Sequence, residues 1–253
     1  MYKSEKLIRK NKRSIHSLRE ISFVRDYTKY AEGSVLVSFG DTVVLCNASI
    51  ENSVPNWLKN NDMGWITAEY SMLPRATDSR NRRDVSVGRI SGRSMEIQRL
   101  IGRSLRCSVD LLKINNFTVT VDCDVLQADG GTRTAAICGG FLALDDACKK
   151  TFKEDSEYLL SNVAAISLGI FSNQIYLDLD YDEDSTCDAD INVVMTSNGG
   201  IVEIQGTAEK QPFPETLLID VLKNAKNGIN EIFEMQKKMQ RDRNLKQISS
   251  KSL

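Results

Sequence analysis

Histidine is almost missing from this chain. In 253 residues there is one, His16, and it sits in a basic leader. A zinc site or a histidine-based triad is therefore not expected. Cysteine is present at six positions (46, 107, 123, 138, 148 and 187), but no two form a CxxC pair, and most fall in apolar periodic runs where a free thiol acts as a small hydrophobe. Together with the lack of a secretory leader, this leads to the expectation of a reducing, cytoplasmic setting. No apolar run reaches the length of a membrane span, so no membrane partner is expected. Net charge of one sign is lacking too. Thirty-three basic residues face 34 acidic ones, for a formal charge of -1. Any affinity for a polyanion must therefore come from local charge.

Local charge is strongly uneven. Nine arginines lie between Arg75 and Arg106, at 75, 80, 82, 83, 89, 93, 99, 103 and 106, against only Asp78, Asp84 and Glu96. Seven acids lie between Asp178 and Asp190 with no basic residue among them. The 41% hydrophobic content is that of a folded protein with a sizeable core.

The stretch around which the chain is organised is DCDVLQADGGTRTAA, residues 122–136. Val119, Val121, Cys123 and Val125 alternate with polar residues, which predicts a strand. Gly130 and Gly131 break it, and Thr132-Arg133-Thr134 opens a helix read from about Thr134 to Lys149, rich in Ala and Gly. A strand, two glycines and a helix start make an anion site physically natural. Glycine permits close backbone approach, the first-turn N–H groups are unpaired, and Arg133 can add a bidentate fork. The same pattern also serves as a plain tight connection.

Other elements follow from periodicity. Residues 34–49 read as a hairpin turning at Gly40-Asp41, and Trp65 to Tyr70 as a strand. Residues 73–92 are polar, arginine-rich and aperiodic, hence a loop. From Arg93 a helix carries Ile97, Leu100, Ile101, Leu105, Val109 and Leu112 on one stripe. Two more hairpins are read at 163–171/174–180 and 190–196/201–205. A long helix runs through Leu217 to Phe233, with Pro214 near its first turn. Residues 1–20 read as a basic surface arm, and the polar stretch after Lys237 as a fraying tail. The order of strands and helices predicts a layered α/β or α+β protein with mixed or antiparallel sheets.

The acidic segment has two physical readings. One is a solvated loop. The other is a divalent-metal or phosphoryl-transfer site in which Asp184 folds back beside Asp190, which opens the strand Ile191 to Met195. A calcium-loop reading fails, because the central Gly and terminal Glu are missing. An arginine loop with Trp65 and Tyr70 nearby suits single-stranded nucleic acid, although ordinary core packing explains such aromatics equally well.

Six runs, in order, resemble the ribonuclease PH family, phosphate-dependent 3′-end exoribonucleases related to polynucleotide phosphorylase and the exosome core subunits. They are DYTKYAEGSVLVSFGDTVVLCNASIE, GWITAEYSMLPRATDSRNRR, SGRSMEIQRLIGRSLR, DCDVLQADGGTRTAA, YDEDSTCDADINVVMT and EIQGTAE. The resemblance covers roughly residues 12–240. It implies a basic arm over 1–11, a single catalytic domain over 12–240 and a polar tail over 241–253. The implied fold is α+β, like ribosomal protein S5 domain 2, with mixed sheets and packed helices. The implied reaction is attack of inorganic phosphate on the last 3′–5′ phosphodiester of tRNA precursors and other RNA, with Mg²⁺ as cofactor and a homo-hexamer, a trimer of dimers, as the assembly. Running backwards, the same chemistry is a nucleotidyltransferase. The family's phosphate-binding residues fall on Arg93, Gly131, Thr132 and Arg133, its catalytic and metal-holding carboxylates on Asp184 and Asp190, and its RNA-gripping arginines on Arg75, Arg80 and Arg83. The chain departs from the family at Tyr30, where histidine is usual, at Arg19-Glu20, where Arg-Pro is usual, in the opening run KRSIH, and at Arg82, which adds a charge to the arginine loop. A non-catalytic RNA-binding ring subunit is the competing class. The joint presence of Asp184, Asp190, Arg93 and Arg133 argues against it.

Overall fold

The computed structural model describes residue 9, residues 12–152 and residues 157–251. Two sheets face a helix buried between them. The first sheet has strand order β1-β2-β3-β5-β4 and is built from β1 (Ile21–Arg25), β2 (Gly33–Phe39), β3 (Thr42–Glu51), β4 (Trp65–Met72) and β5 (Thr118–Gln127). Its pairs are antiparallel except β4 and β5, which run parallel with Trp65 opposite Thr118 and Met72 opposite Val125. A parallel pair needs a crossover. The chain supplies it through the short helix α1 (Asp84–Val87) and then α2 (Gly92–Arg106), which packs on β4.

The central helix α3 (Thr132–Thr151) follows β5 directly. It packs on β2, β3 and β5 and, on its other side, on β6. Every residue from Thr134 to Cys148 is buried. Hence its composition: a helix with no solvent face carries no polar stripe, and small residues let two sheets close on it. A Cβ on Gly33 of β2 would lie 1.9 Å from the Ala143 carbonyl oxygen, and one on Gly139 would lie 2.5 Å from Val37 Cγ1.

The second sheet, order β7-β6-β8-β9, is antiparallel throughout: β6 (Val163–Phe171), β7 (Gln174–Leu177), β8 (Ala189–Thr196) and β9 (Ile201–Ala208). Between β7 and β8 lies a one-turn helix, α4 (Tyr181–Asp184). The last helix, α5 (Glu215–Lys251), covers β6, β7 and β8 with Val221, Ala225, Ile229, Ile232 and Phe233. One apolar core runs through all the layers. The mixed α+β architecture with two sheets and packed helices is the one expected.

Four readings need correction. The helical stripe stops at Arg106, so Val109 and Leu112 are not on it. Val109 is buried beside a bridge to Leu159, while Leu112 is 61% exposed. Hydrophobic spacing continued past a helix whose backbone had already turned, with Ser108 N–H bonded to the Leu105 carbonyl. β1 lies just beyond the stretch read as an arm, its short alternation hidden by the charges around it. The polar stretch after Lys237 does not fray but continues α5 to Lys251, and residues 252–253 lie outside the described residues. Finally, the basic leader is a surface arm only in part where it is described: Lys12, Ser14, His16, Ser17 and Glu20 are exposed, but its arginines are folded in. Arg9 is 4% exposed, and Arg9, Arg13 and Arg19 are all paired with Asp178 or Glu183, far along the sequence. Charge in a sequence marks a solvent face only when its partner is not folded against it. Residues 1–8, 10 and 11 lie outside the described residues.

Candidate active site

The strand–turn–helix joint behaves as its glycines require. Gly130 (φ 74°) and Gly131 (φ 66°) are both left-handed, and Gly131 caps α3. A Cβ on Gly130 would meet the Asp180 carbonyl carbon at 2.6 Å, so the turn lies hard against the segment that leads into α4. Thr42 closes it from β3, donating to the Gly130 carbonyl at 2.6 Å and accepting from Asp129 N–H at 2.8 Å.

Above this joint opens a cavity of about 550 Å³. Arg93, Gly131, Thr132, Arg133, Asp184 and Asp190 all line it. Arg93 comes from the first turn of α2, whose start is capped by the Ser91 hydroxyl accepting from Ser94 N–H. Arg133 is aimed by its neighbours: Nη1 donates to Gln205 Oε1 at 2.9 Å and lies 3.5 Å from Glu96 Oε2. Thr132 is buried, its hydroxyl 2.8 Å from that of Tyr70, and burial pushes the Tyr70 phenol up.

The seven acids of 178–190 divide by role. Asp178 and Glu183 are buried against arginines. Asp180 caps α4 in a reciprocal capping box with Glu183. Asp188 pairs with Lys210 at the surface. Asp182 is exposed. That leaves Asp184 and Asp190 on the cavity. Burial raises both carboxyls. Asp190, with Asp184 adding to the effect and Arg133 and Asn192 opposing it, is pushed up to about 6. Asn192 Nδ2 donates to Asp190 Oδ2 at 3.2 Å.

The remaining sequence candidates fall elsewhere. Arg75, Arg80 and Arg83 are exposed on the loop before α2 and do not line the cavity, whereas their neighbours Asn81 and Arg82 do. Arg83 lies within electrostatic reach of Asp124. Trp65 is not at the cavity. It stacks with Arg106, whose guanidinium carbon is 4.4 Å from the ring centroid, and meets Trp57 edge-on at 4.8 Å. Sequence reasoning missed Asn192 and Gln205, which orient the functional groups, and Tyr181, 61% exposed at the rim. Asn192 and Gln205 stand on strands with ordinary alternation, so only the partners they meet in space distinguish them.

The exposed Arg93, the half-buried Arg133 and the start of α3 share one cavity with two half-buried carboxylates, an arrangement suited to handling phosphoryl groups on an α+β scaffold. The family follows from direct matches: a 3′ exoribonuclease family, domain 1 model fits residues 17–150, and a domain 2 model fits residues 161–228. The chain belongs to that phosphorolytic family, the family of ribonuclease PH and the exosome core. Solved structures share the fold. Rice (Oryza sativa) Rrp46 superposes with a TM-score of 0.73 at 19% identity, over 89% of this chain and 96% of that one. An archaeal exosome core gives 0.72 at 22%, over 89% of each chain. The Archaeoglobus fulgidus exosome with RNA bound to the active site gives 0.76 at 22%, over 91% and 92%.

Among the described residues no group of three or more His, Cys, Asp or Glu side chains converges as a metal cage. Two half-buried, mutually repelling carboxylates suit Mg²⁺, which keeps several waters and takes one or two carboxylates together with substrate phosphates.

Proposed function

We propose that this protein is a phosphorolytic 3′-to-5′ exoribonuclease that removes 3′-terminal nucleotides from tRNA precursors and other RNA. The observation that carries the reading is the convergence of Arg93, Arg133 and the start of α3 with Asp184 and Asp190 on one cavity. An oxygen of inorganic phosphate forms a bond to the terminal phosphorus, the bond from phosphorus to the 3′ oxygen of the preceding nucleotide breaks, and a nucleoside 5′-diphosphate leaves. The shortened RNA keeps a 3′ hydroxyl, which needs a proton. Two phosphates that repel one another must be brought together. Arg93, Arg133 and the helix-terminal N–H groups offset that repulsion and fix the line of attack. Asp190, whose carboxyl is pushed up to about 6 by burial, is suited to protonating the leaving oxygen or to positioning a group that does. Asp184 and Asp190 would hold Mg²⁺, which supplies positive charge to the phosphate oxygens. The exposed Arg75, Arg80 and Arg83 would grip the RNA backbone away from the reacting end.

In this reading the working form is a six-chain ring in the cytoplasm, and the reverse nucleotidyltransferase reaction is open to the same groups. The test is one incubation of 3′-extended RNA and Mg²⁺ with and without phosphate. Diphosphates that appear only with phosphate are expected. Monophosphates would make the protein a hydrolase, and no product would make it a binding subunit.

A further inference from the structure

Arg19 stands before β1 and does not line the 550 Å³ cavity, yet its side chain, 7% exposed, reaches the underside of the glycine turn. Nη1 donates to the Asp129 carbonyl at 2.6 Å, and both Nη1 and Nη2 lie 3.4 Å from the Gly130 carbonyl. On its other edge Nη2 and Nε donate to Asp178 at 2.7 and 3.1 Å, and the Arg19 backbone N–H adds a third bond to the same carboxylate at 2.7 Å. A Cβ on Gly131 would sit 2.9 Å from Nη2. The guanidinium is therefore packed between the turn and the stretch that joins β7 to α4.

The direction of those bonds matters. In a trans peptide the carbonyl and the N–H point to opposite sides of the chain. With the Asp129 and Gly130 carbonyls drawn down onto Arg19, the N–H groups of Gly130 and Gly131 turn the other way, towards the side where both glycines line the cavity. The grip on Asp178 fixes the same turn relative to α4 and hence to Asp184, three residues beyond Tyr181. We propose that Arg19 is a positioning residue for the phosphate co-substrate, one that aims two backbone donors at the anion and sets their distance from the carboxylates. The identity of that anion rests on the function proposed above. A planar fork is needed, because one lysine ammonium cannot bridge two carbonyls and a carboxylate in one plane.

The test compares Arg19→Lys and Arg19→Ala with wild type, reading KM for phosphate, kcat and RNA affinity without phosphate. Arg25→Lys, which alters a buried pair with Asp146 remote from the turn, serves as the control for general loosening. Both Arg19 variants should raise KM for phosphate about tenfold or more and leave RNA affinity within about twofold, and millimolar guanidinium should restore the Arg19→Ala protein. Arg25→Lys should show no such split. An unchanged phosphate KM, or a parallel loss of phosphate and RNA affinity, overturns the proposal. If Arg19→Ala does not fold, Arg19→Lys alone decides. A wild-type protein without phosphorolysis would refute the function instead. Calorimetric phosphate binding then compares wild type with Arg19→Lys, and equal affinities would refute the positioning role.

Discussion

At the residue scale, what separates the acids of 178–190 is the partner each one meets. Glu183 is bound on both oxygens by Arg9, at 2.6 and 2.8 Å, with both side chains buried. Removing Arg9 strips Glu183 of its two short bonds and leaves it the longer contact from Arg13 at 3.3 Å, so Arg9→Ala should cost about 3 kcal/mol in urea unfolding. That loss is far larger than a truncated surface arginine would give. Asp190→Ala should lower turnover about a hundredfold or more while RNA still binds in a filter or anisotropy assay. An active Asp190→Ala protein would remove Asp190 from the mechanism. Gly131, Thr132, Arg133 and Asp190 of the candidate site were legible because they combine unusual spacing with unusual chemistry: two glycines before Thr132-Arg133, and a carboxylate at the mouth of an apolar strand. Arg93, one of nine arginines, stood out only through the family resemblance. Arg9, Arg13 and Arg19 were not legible. They are basic residues among other basic residues, and their partners lie some 160 or more positions away.

Among the elements, hairpins were the most readable. Each turn fell where glycine, Asn or Asp interrupted an apolar or alternating run, and β2/β3, β6/β7 and β8/β9 paired as expected, although β7 stops at Leu177, short of the 180 read from the sequence. The parallel pairing of β4 with β5 was invisible, since nothing local tells a strand which way its neighbour runs. α3 shows how packing dictates composition. Gly139→Ala would drive a methyl group into Val37 and Cys46, an overpacking cost of about 2 kcal/mol, which calorimetry should register as a melting midpoint roughly 4–8 °C lower. The arginine loop before α2 calls for a different measurement. Arg75→Ala and Arg80→Ala should weaken RNA binding, and each should shallow the dependence of log affinity on log salt by about 0.7, while the affinity for free phosphate stays put. Equal losses of both ligands would mean that the loop shapes the cavity.

For the whole molecule, the expected ring is tested by solution mass at modest protein concentration, where a species of six chains should dominate and a single-chain mass would exclude it. The cavity itself spans the architecture: Arg93 and Arg133 belong to helices laid on the first sheet, and Asp190 belongs to the second. The central helix makes that union obligatory. It grows out of β5, yet β6 leans on it as well. A gene truncated to its latter portion would encode a sheet with its greasy side bare, and the earlier portion would keep a helix with one flank uncovered. Neither piece closes a core by itself, so the two matched segments should melt together in one transition.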